Sequence, residues 1–576
     1  AITDPNYSLA FVDGTLRVVG LRTWAKGNGT WDIETSVNWS AASGIATYVD
    51  GGAVAFGDPA GFGPFAVTLN TSVHPYSVTV SNSIKDYTIS GTGLIAGAAS
   101  VTKQGAGMLT VGGVNTYSGG TKVDGGGLAL ANGNAKLGSG TVTMAGGTLF
   151  KVAGDPAITI TNPFDLTSGL VTLPILFTGG TDVQFNGSIT GAGGFKVINE
   201  GNGRRLELPN ANSFSGGMVL SMAGGGGAMR VRIGNAQSLG SGTLRSELTP
   251  ASIGGLENTT DLSAGSGVAN AIDLATGANL NVGNNNTGNL KLSGVISGAG
   301  SLTKNGTGTL TLAGTNTYSG TTAVTAGTLL VNGTNTGSGA ISVSSGSTFG
   351  GTGGVGGNVT YTGGALANFT KGLPMPIAGT LTLNDNIVHV SLPVGLTGGN
   401  YTLATYHATG STGSFNATPV IDSGSLNTGA TATVTTSGGF VKLVVSGGND
   451  YDSWANNYLG YDLSNPAADT IGNGLTNAQK YAFGLNPTRL TDVNPIKVLL
   501  DKTAGTFTYT RRATPATTGI AYTVWTSPDL AIWTRDTGVI EGTTTVAGEI
   551  ETVPVTLSGV PLSVTKLFVR VEAVMP

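Results

Sequence analysis

The segment Asn115-Thr-Tyr-Ser-Gly-Gly-Thr121 returns as Asn316-Thr-Tyr-Ser-Gly-Thr-Thr322, 201 positions later, and a weaker copy, Asn212-Ser-Phe-Ser-Gly-Gly-Met218, lies between them. Each copy follows a matching run: Gly97-Ala-Ala-Ser-Val-Thr-Lys103, Gly191-Ala-Gly-Gly-Phe-Lys196 and Gly298-Ala-Gly-Ser-Leu-Thr-Lys304. An internal repeat decides architecture before any local motif does, because a single unit cannot bury its apolar face alone and must stack on its neighbours. The long middle of the chain is therefore expected to be an elongated stack of coils, and the chain reads as structure before it reads as chemistry.

Composition narrows this further. Gly supplies 96 of 576 residues and charged residues only 10%, against about 7% and about a quarter in ordinary domains. Disorder would demand few β-branched residues and a high net charge; this chain has neither, with a net charge of -4. That charge predicts no attraction to nucleic acid or to anionic lipid. The absence of cysteine removes disulfides and thiolate metal sites. No apolar run approaches the roughly 18 residues that a spanning helix needs. The start at Ala1 rather than Met, with the Thr/Asn/Gly-rich composition, is read as a mature exported form after signal-peptide removal, extracellular or at the cell surface.

All six tryptophans lie outside residues 40–453: Trp24, Trp31, Trp39, Trp454, Trp525 and Trp533. Large aromatics fill compact cores, whereas thin coils are filled by Val, Leu, Ile and Ala, so the tryptophans set two ends apart from a repetitive middle. Residues 1–80 are read as a Trp-rich cap with the first strands. Over 81–380 short alternating runs such as Gly308-Thr-Leu-Thr-Leu-Ala313 are divided by glycine pairs or Asn-Gly. Alternation marks half-buried strands, and turn signals about every 8 to 12 residues leave no room for helices. A sandwich, a barrel or a parallel β-solenoid would fit; the long-period identity favours the solenoid. Thr and Asn at equivalent positions suit ladders of like side chains, and Tyr117, Phe214 and Tyr318 are expected to recur as packed corner aromatics.

Residues 381–448 are assigned to closing coils or a cap, since an open end is a template for strand addition. Residues 449–490 form a connector with one helix: Thr476-Asn-Ala-Gln479 is a capping box, Ala478, Tyr481, Ala482 and Leu485 follow at helical spacing, and Gly484 and Pro487 end it. The β runs of 491–576 predict a small sandwich-like module.

The blocks Gly294-Val-Ile-Ser-Gly-Ala-Gly-Ser-Leu-Thr-Lys304 and Asn316-Thr-Tyr-Ser-Gly320 resemble the autotransporter-associated β-strand repeat, common in large surface proteins of Verrucomicrobia, Planctomycetes and Proteobacteria. The resemblance covers roughly residues 20 to 350 and implies a right-handed β-solenoid at the cell surface; it implies no activity. A translocator barrel does not fit residues 450–576, which are too short and irregular. The tail instead resembles a C-terminal module of exported Verrucomicrobial proteins that carries an acidic calcium loop before its helix. Here that loop is Asp469-Thr-Ile-Gly-Asn473-Gly474. Asp469 and Asn473 fit calcium-ligand positions, but Ile471 and Lys480 replace two others, so the expectation is a degenerate, empty loop and no cofactor.

Chemistry is otherwise sparse. His74, His389 and His407 have neither metal spacing nor a Ser/His/Asp order. Gly351-Thr-Gly-Gly-Val-Gly356 matches the dinucleotide fingerprint without its strand, helix and acid, and reads as a corner. Arg204-Arg205 and Arg511-Arg512 are too small for a nucleic-acid footprint. The acid groupings Asp32/Glu34, Glu200/Glu207 and Glu549/Glu551 read as solvated surface rather than a glycosidase pair. The expectation is a non-enzymatic surface protein, with no membrane span, that assembles with itself head to tail into a filament or sheath. Its first strands, Ser8-Leu-Ala-Phe-Val12 and Thr15-Leu-Arg-Val-Val-Gly20, are read as able to join a neighbour. The alternatives are a surface adhesin that binds glycans and a polysaccharide-degrading enzyme.

Overall fold

In a computed structural model, which describes residues 7–12, 15–60, 63–133, 136–152, 158–175, 182–199, 205–222, 229–250, 254–258, 260–283, 288–394, 396, 398–426, 430–446, 450–455, 457–458, 460–513, 519–558 and 564–575, almost every regular element is a short strand. The chain divides into two units, one of residues 1–389, 402–417 and 436–441, the other of 390–401, 418–435 and 442–576.

The first unit is a parallel β-solenoid; the fold has about 14 turns. Its strands are mostly two to six residues long, and the alternation in sequence becomes alternation in burial. Leu310 and Leu312 point inward from Thr309–Leu312, and Leu329 and Val331 from Thr328–Val331, with Thr311 and Leu330 between them only partly buried. Parallel pairing then places like on like: Leu290, Leu310, Leu329 and Phe349 lie in one register column, and Thr315 and Asn316 pair with Thr334 and Asn335. The interior is apolar to a thickness of two side chains, which is why aliphatics suffice to fill it.

Pairing builds a ten-stranded sheet, a twelve-stranded sheet and an eleven-stranded sheet along successive faces of the coil. The two clear repeats do not share faces. In the first copy, Ser100–Gln104 and Met108–Val111 belong to the ten- and twelve-stranded sheets. In the second, Ser301–Lys304 joins the eleven-stranded sheet and Thr309–Leu312 joins a further sheet that begins at Leu290–Leu292. The motif therefore encodes a contact between consecutive coils and is independent of the face on which it falls.

The ten-stranded sheet is closed at its N-terminal end by antiparallel strands. Arg22–Trp24 pairs with Trp39–Ala41, which pairs with Gly44–Ala46. Trp24, Trp31, Trp39, Tyr48 and Phe56 pack beneath, with Trp24 and Trp39 edge to face at 5.0 Å and the Trp31 and Trp39 rings wholly buried. Ahead of this cap, Tyr7–Val12 and Thr15–Gly20 pair with each other in a six-pair antiparallel register. Each strand is thus paired along one edge within the chain.

In the second unit a capping box formed by Thr476 and Gln479 opens the helix Asn477–Phe483, and Gly484 ends it at φ 66°. A second helix, Asp450–Ala455, was not evident from the sequence; its Tyr451 and Trp454 pack on Tyr481. Beyond them two sheets share one core: Phe507, Tyr509, Val553 and Val555 from one, Val524 and Val571 from the other. Trp525 and Trp533 do not belong to that core, contrary to the expectation that every tryptophan marks one.

Coil stacking leaves no volume at some corners. A Cβ on Gly320 would lie 2.1 Å from the Gly300 carbonyl oxygen, whereas one on Gly57 would meet nothing within 4 Å. Gly320→Ala is expected to destabilise by about 1–3 kcal/mol and Gly57→Ala by less than about 0.5 kcal/mol, read as shifts in the denaturant midpoint; equal shifts would contradict the stacking account.

Candidate functional site

The repeat motif can be followed atom by atom. Asn115, Asn212 and Asn316 each accept, through Oδ1, the backbone N–H of an isoleucine one coil earlier: Ile95 at 2.8 Å, Ile189 at 2.9 Å and Ile296 at 2.9 Å. Three residues on, the amides of Ser118, Ser215 and Ser319 donate to the carbonyls of Gly97, Gly191 and Gly298 at 2.9, 2.9 and 3.0 Å. Tyr117 and Tyr318 are buried with their hydroxyls on Thr121 at 2.6 Å and Thr322 at 2.7 Å. In the middle copy both ends of that bond are gone together, replaced by buried Phe214 and Met218. These aromatics are packing, as expected.

The lysines of the repeat were not foreseen as buried. Lys103 is 0% and Lys304 2% exposed. The Lys103 ammonium donates to the carbonyls of Gln104 at 2.6 Å, Gly105 at 2.9 Å and Gly125 at 3.3 Å. Lys304 donates to Asn305 at 3.2 Å, Gly306 at 2.7 Å and Ala326 at 3.0 Å. Each ammonium ties the carbonyls of a tight corner to those of the next coil, satisfying acceptors that no strand reaches. The middle copy differs: Lys196 is half-exposed, and the inward position is filled by Val197. Burial pushes the ammonium groups of Lys103 and Lys304 down to about 8.

A second concentration of polar groups lies on the eleven-stranded sheet. The strands Arg205–Leu208, Arg230–Ile233 and Gly255–Asn258 stack so that Arg205 pairs with Arg230, and Glu207 with Arg232, which pairs in turn with Glu257. Like charges on facing positions are unfavourable, and Glu257 offsets them. Its carboxylate, 0% exposed, lies 3.6 Å from Arg205, 3.6 Å from Arg230 and 3.3 Å from Arg232. Arg232 also reaches Glu207 at 2.9 Å, and Arg205 reaches Asp182 at 3.4 Å. Burial raises the Glu257 carboxyl above its ordinary value, opposed by the three guanidinium groups. Glu207, read from the sequence as solvated surface, instead joins this ion-pair cluster. Asp182 lies 25 residues and one coil from Glu207, and Glu257 a further 50 residues and two coils on, so only the register reveals them.

The other acids and histidines are dispersed. Asp32 caps its own turn through Ser36, Glu200 lies outside the described residues, and Glu549 and Glu551 pair with Arg512 and Arg511. His74 contacts Asp50 at 3.2 Å and His407 contacts the Thr409 carbonyl at 3.0 Å. In the glycine run, Val355 bridges to Asn335 and Ile377 as a solenoid corner.

In the loop before the helix, Asp469 accepts the Gly474 amide at 2.6 Å and the buried Lys480 ammonium at 3.0 Å. Burial works against ionisation of Asp469, yet the amide and the ammonium outweigh it and hold the carboxyl at about 2. Asn473 accepts the Leu475 amide at 3.3 Å. The loop thus contains a cation of its own, on the side chain that stands where a calcium loop would have its last ligand. Among the described residues no group of three or more His, Cys, Asp or Glu converges as a metal site, and no helix is long and apolar enough to cross a membrane.

Comparison with known proteins agrees with the repeat geometry. The family model described as Passenger-associated-transport-repeat matches residues 101–130 and 302–331, the two segments that contain the buried lysines. The chain is 31% identical over 247 residues to the Adhesin BmaC autotransporter of Brucella suis biovar 1 (strain 1330), an alignment covering 40% of this chain and 7% of that protein. The chain thus spans a small part of that relative's length. No solved structure matches the chain.

The ammonium groups of Lys103 and Lys304 lose their protons near pH 8 when folded and near about 10.4 when unfolded. Between those values the unfolded chain holds more protons, so stability rises with pH. The denaturant midpoint should increase between about pH 7.5 and about pH 9.5, by on the order of 1–2 kcal/mol per lysine after discounting for partial solvation. The Lys103→Met, Lys304→Met double variant should lose that rise; a parallel pH profile in the variant would refute the assignment. Glu257→Gln removes the counter-charge of stacked arginines and should cost about 2–4 kcal/mol. Hydrogen exchange in the strands Arg205–Leu208 and Arg230–Ile233 should accelerate, with partial recovery in salt; unaltered protection would contradict the balance described.

Proposed function

We propose that this chain is a non-catalytic module displayed outside the cell, an adhesive passenger whose solenoid holds a surface at a fixed geometry. The observation that carries this reading is where the repeated polar groups go. In the two matched repeats the asparagine and lysine side chains bond from coil to coil and the buried tyrosine hydroxyls bond a threonine of their own coil, so the repeated polar groups are spent on holding the coils together. The likeness of two segments to a passenger-associated repeat, and of 40% of the chain to a protein named as an adhesin autotransporter, supports the same direction.

One observation favours a second reading. Glu207 and Glu257 share a coil face with three arginines, a residue set that could serve a polysaccharide-cleaving enzyme. Against it, the Glu257 carboxylate is fully buried and engaged by arginine, which leaves it no room to meet a sugar. Self-assembly into a filament has less behind it: the N-terminal edge of the ten-stranded sheet ends in antiparallel strands, which do not continue a parallel ladder.

The test is retention under flow. Beads coated with the purified chain should remain on host-cell or biofilm-matrix layers at shear that removes beads coated with an inert protein. Retention no better than the control would overturn the adhesive reading. Negative-stain microscopy of the same preparation across a concentration series should give discrete particles; filaments with a regular axial repeat would make polymerisation the primary activity. Release of reducing ends from polysaccharides, abolished by Glu257→Gln, would establish the enzymatic reading.

A further inference from the structure

Two of the six tryptophans are outside any core. In the second unit the three-stranded sheet is ordered Thr534–Arg535, Ala521–Ser527, Phe568–Val574. Val524 and Val571 point into the shared core, so alternation puts Trp525 on the opposite, outer face. Its register partners there are Arg535 on one side and Arg570 on the other. The Arg570 guanidinium lies over both the Trp525 ring, at 5.6 Å, and the Trp533 ring, at 4.9 Å. Both indoles are half-exposed and both arginines exposed. In the adjoining turn Leu530 and Ile532 are 56% and 70% exposed.

Arg205, Arg230, Arg232, Arg245, Arg511 and Arg512 each pair with a carboxylate. Among the described residues, Arg22, Arg489, Arg535 and Arg570 form no ion pair, and of these Arg570 is the one that lies over aromatic rings, although Glu572 lies two positions along the strand from it. A guanidinium over indole rings can still present its N–H edge, and that edge matches a carboxylate or sulfate in a two-bond geometry. Indole surface beside it suits an apolar, ring-shaped partner with polar edges. Peptides are gripped by grooves or by open strand edges; this is the open outer face of a sheet, across which an extended polymer of pyranose rings can lie.

We infer that the outer face of this sheet, with Trp525 and Trp533 around Arg570 and with Arg535 beside them, is a docking surface for an anionic polysaccharide bearing carboxylate or sulfate groups. The pyranose C–H faces stack on the indoles while the anionic substituents bind the two guanidinium groups. The inference does not depend on the adhesive role of the solenoid, since every residue it uses belongs to the second unit.

The experiment titrates the full chain with four soluble polymers: polygalacturonate, dextran sulfate, neutral dextran and poly-glutamate, following tryptophan fluorescence and affinity electrophoresis. Saturable binding is expected with polygalacturonate, dextran sulfate or both, and which of them binds identifies the anionic group; neutral dextran should not bind. Trp533→Ala and Arg535→Ala should each weaken binding at least about tenfold, equivalent to about 1.4 kcal/mol, with an unchanged thermal midpoint. Arg570→Lys, which keeps the charge and loses the planar stack, should weaken it severalfold; an affinity equal to wild type would reduce the site to diffuse electrostatics and overturn the proposal. Poly-glutamate binding as tightly as the polysaccharides would overturn it in favour of an acidic protein partner, and no binding to either anionic polysaccharide would end it. Should Trp533→Ala unfold, the exposed Arg535→Ala variant and the wild-type fluorescence change decide alone.

Discussion

The hydrogen-bonded contact between one coil and the next is the constraint on which the solenoid rests. Parallel strands sit roughly 4.8 Å apart, and in this chain that spacing persists through the corners, where strands end and backbone groups lose their ladder partners. Three devices answer the loss. Asparagine amides take the place of a missing carbonyl, as Asn316 does for the Ile296 N–H. Serine amides continue the ladder onto the glycine carbonyls of the preceding corner. Buried ammonium groups gather the carbonyls that turn inward, as Lys304 does for Asn305, Gly306 and Ala326. Glycine is then required where the backbones approach, because Gly320 has another backbone where its side chain would be. The repeated sequence is a record of this contact, which explains how the same motif works on different faces of the coil.

A chain with 10% charged residues has few charges to place, and their placement separates structural from surface roles. Lys103 and Lys304 are spent on carbonyls. Glu257 is spent on arginines whose own stacking would otherwise repel. Lys480 is spent on Asp469. Each is a buried ion whose desolvation is offset only by near-ideal partners, and each fixes a register or a loop. The outer face of the small sheet breaks the pattern, with the Arg570 guanidinium over two indole rings and Arg535 exposed beside it.

Much of the fold was legible because periodicity survives in a single sequence. Alternation located the strands, glycine the corners, and Thr476 with Gln479 the start of a helix that forms as read. What escaped notice depends on pairs distant along the chain. Nothing near Lys103 distinguishes it from Lys196 until one counts from Gly97 and Gly191 and finds that Val197, not Lys196, holds the inward position. The Glu257 cluster joins residues on successive coils about 25 positions apart, invisible to any local window. The tryptophan rule failed for Trp525 and Trp533 because residue type alone cannot tell which face of a strand is inside; Val524 and Val571 decide it.

That failure has a consequence for where recognition can reside. Within the second matched repeat the polar side chains that recur are committed inward, and the outer positions are short residues such as Thr303 and Ala323, in register with Ser342 of the next coil. A surface of this kind offers hydroxyls and methyls without charge or large rings, so it can provide area but little selectivity. Selectivity needs groups whose desolvation or misplacement is costly, and those on the second unit's outer sheet, two indoles and two unpaired guanidinium groups, meet that requirement. Repetition and recognition thus draw on different residue sets: the one on Asn, Gly and buried Lys, the other on Trp and exposed Arg.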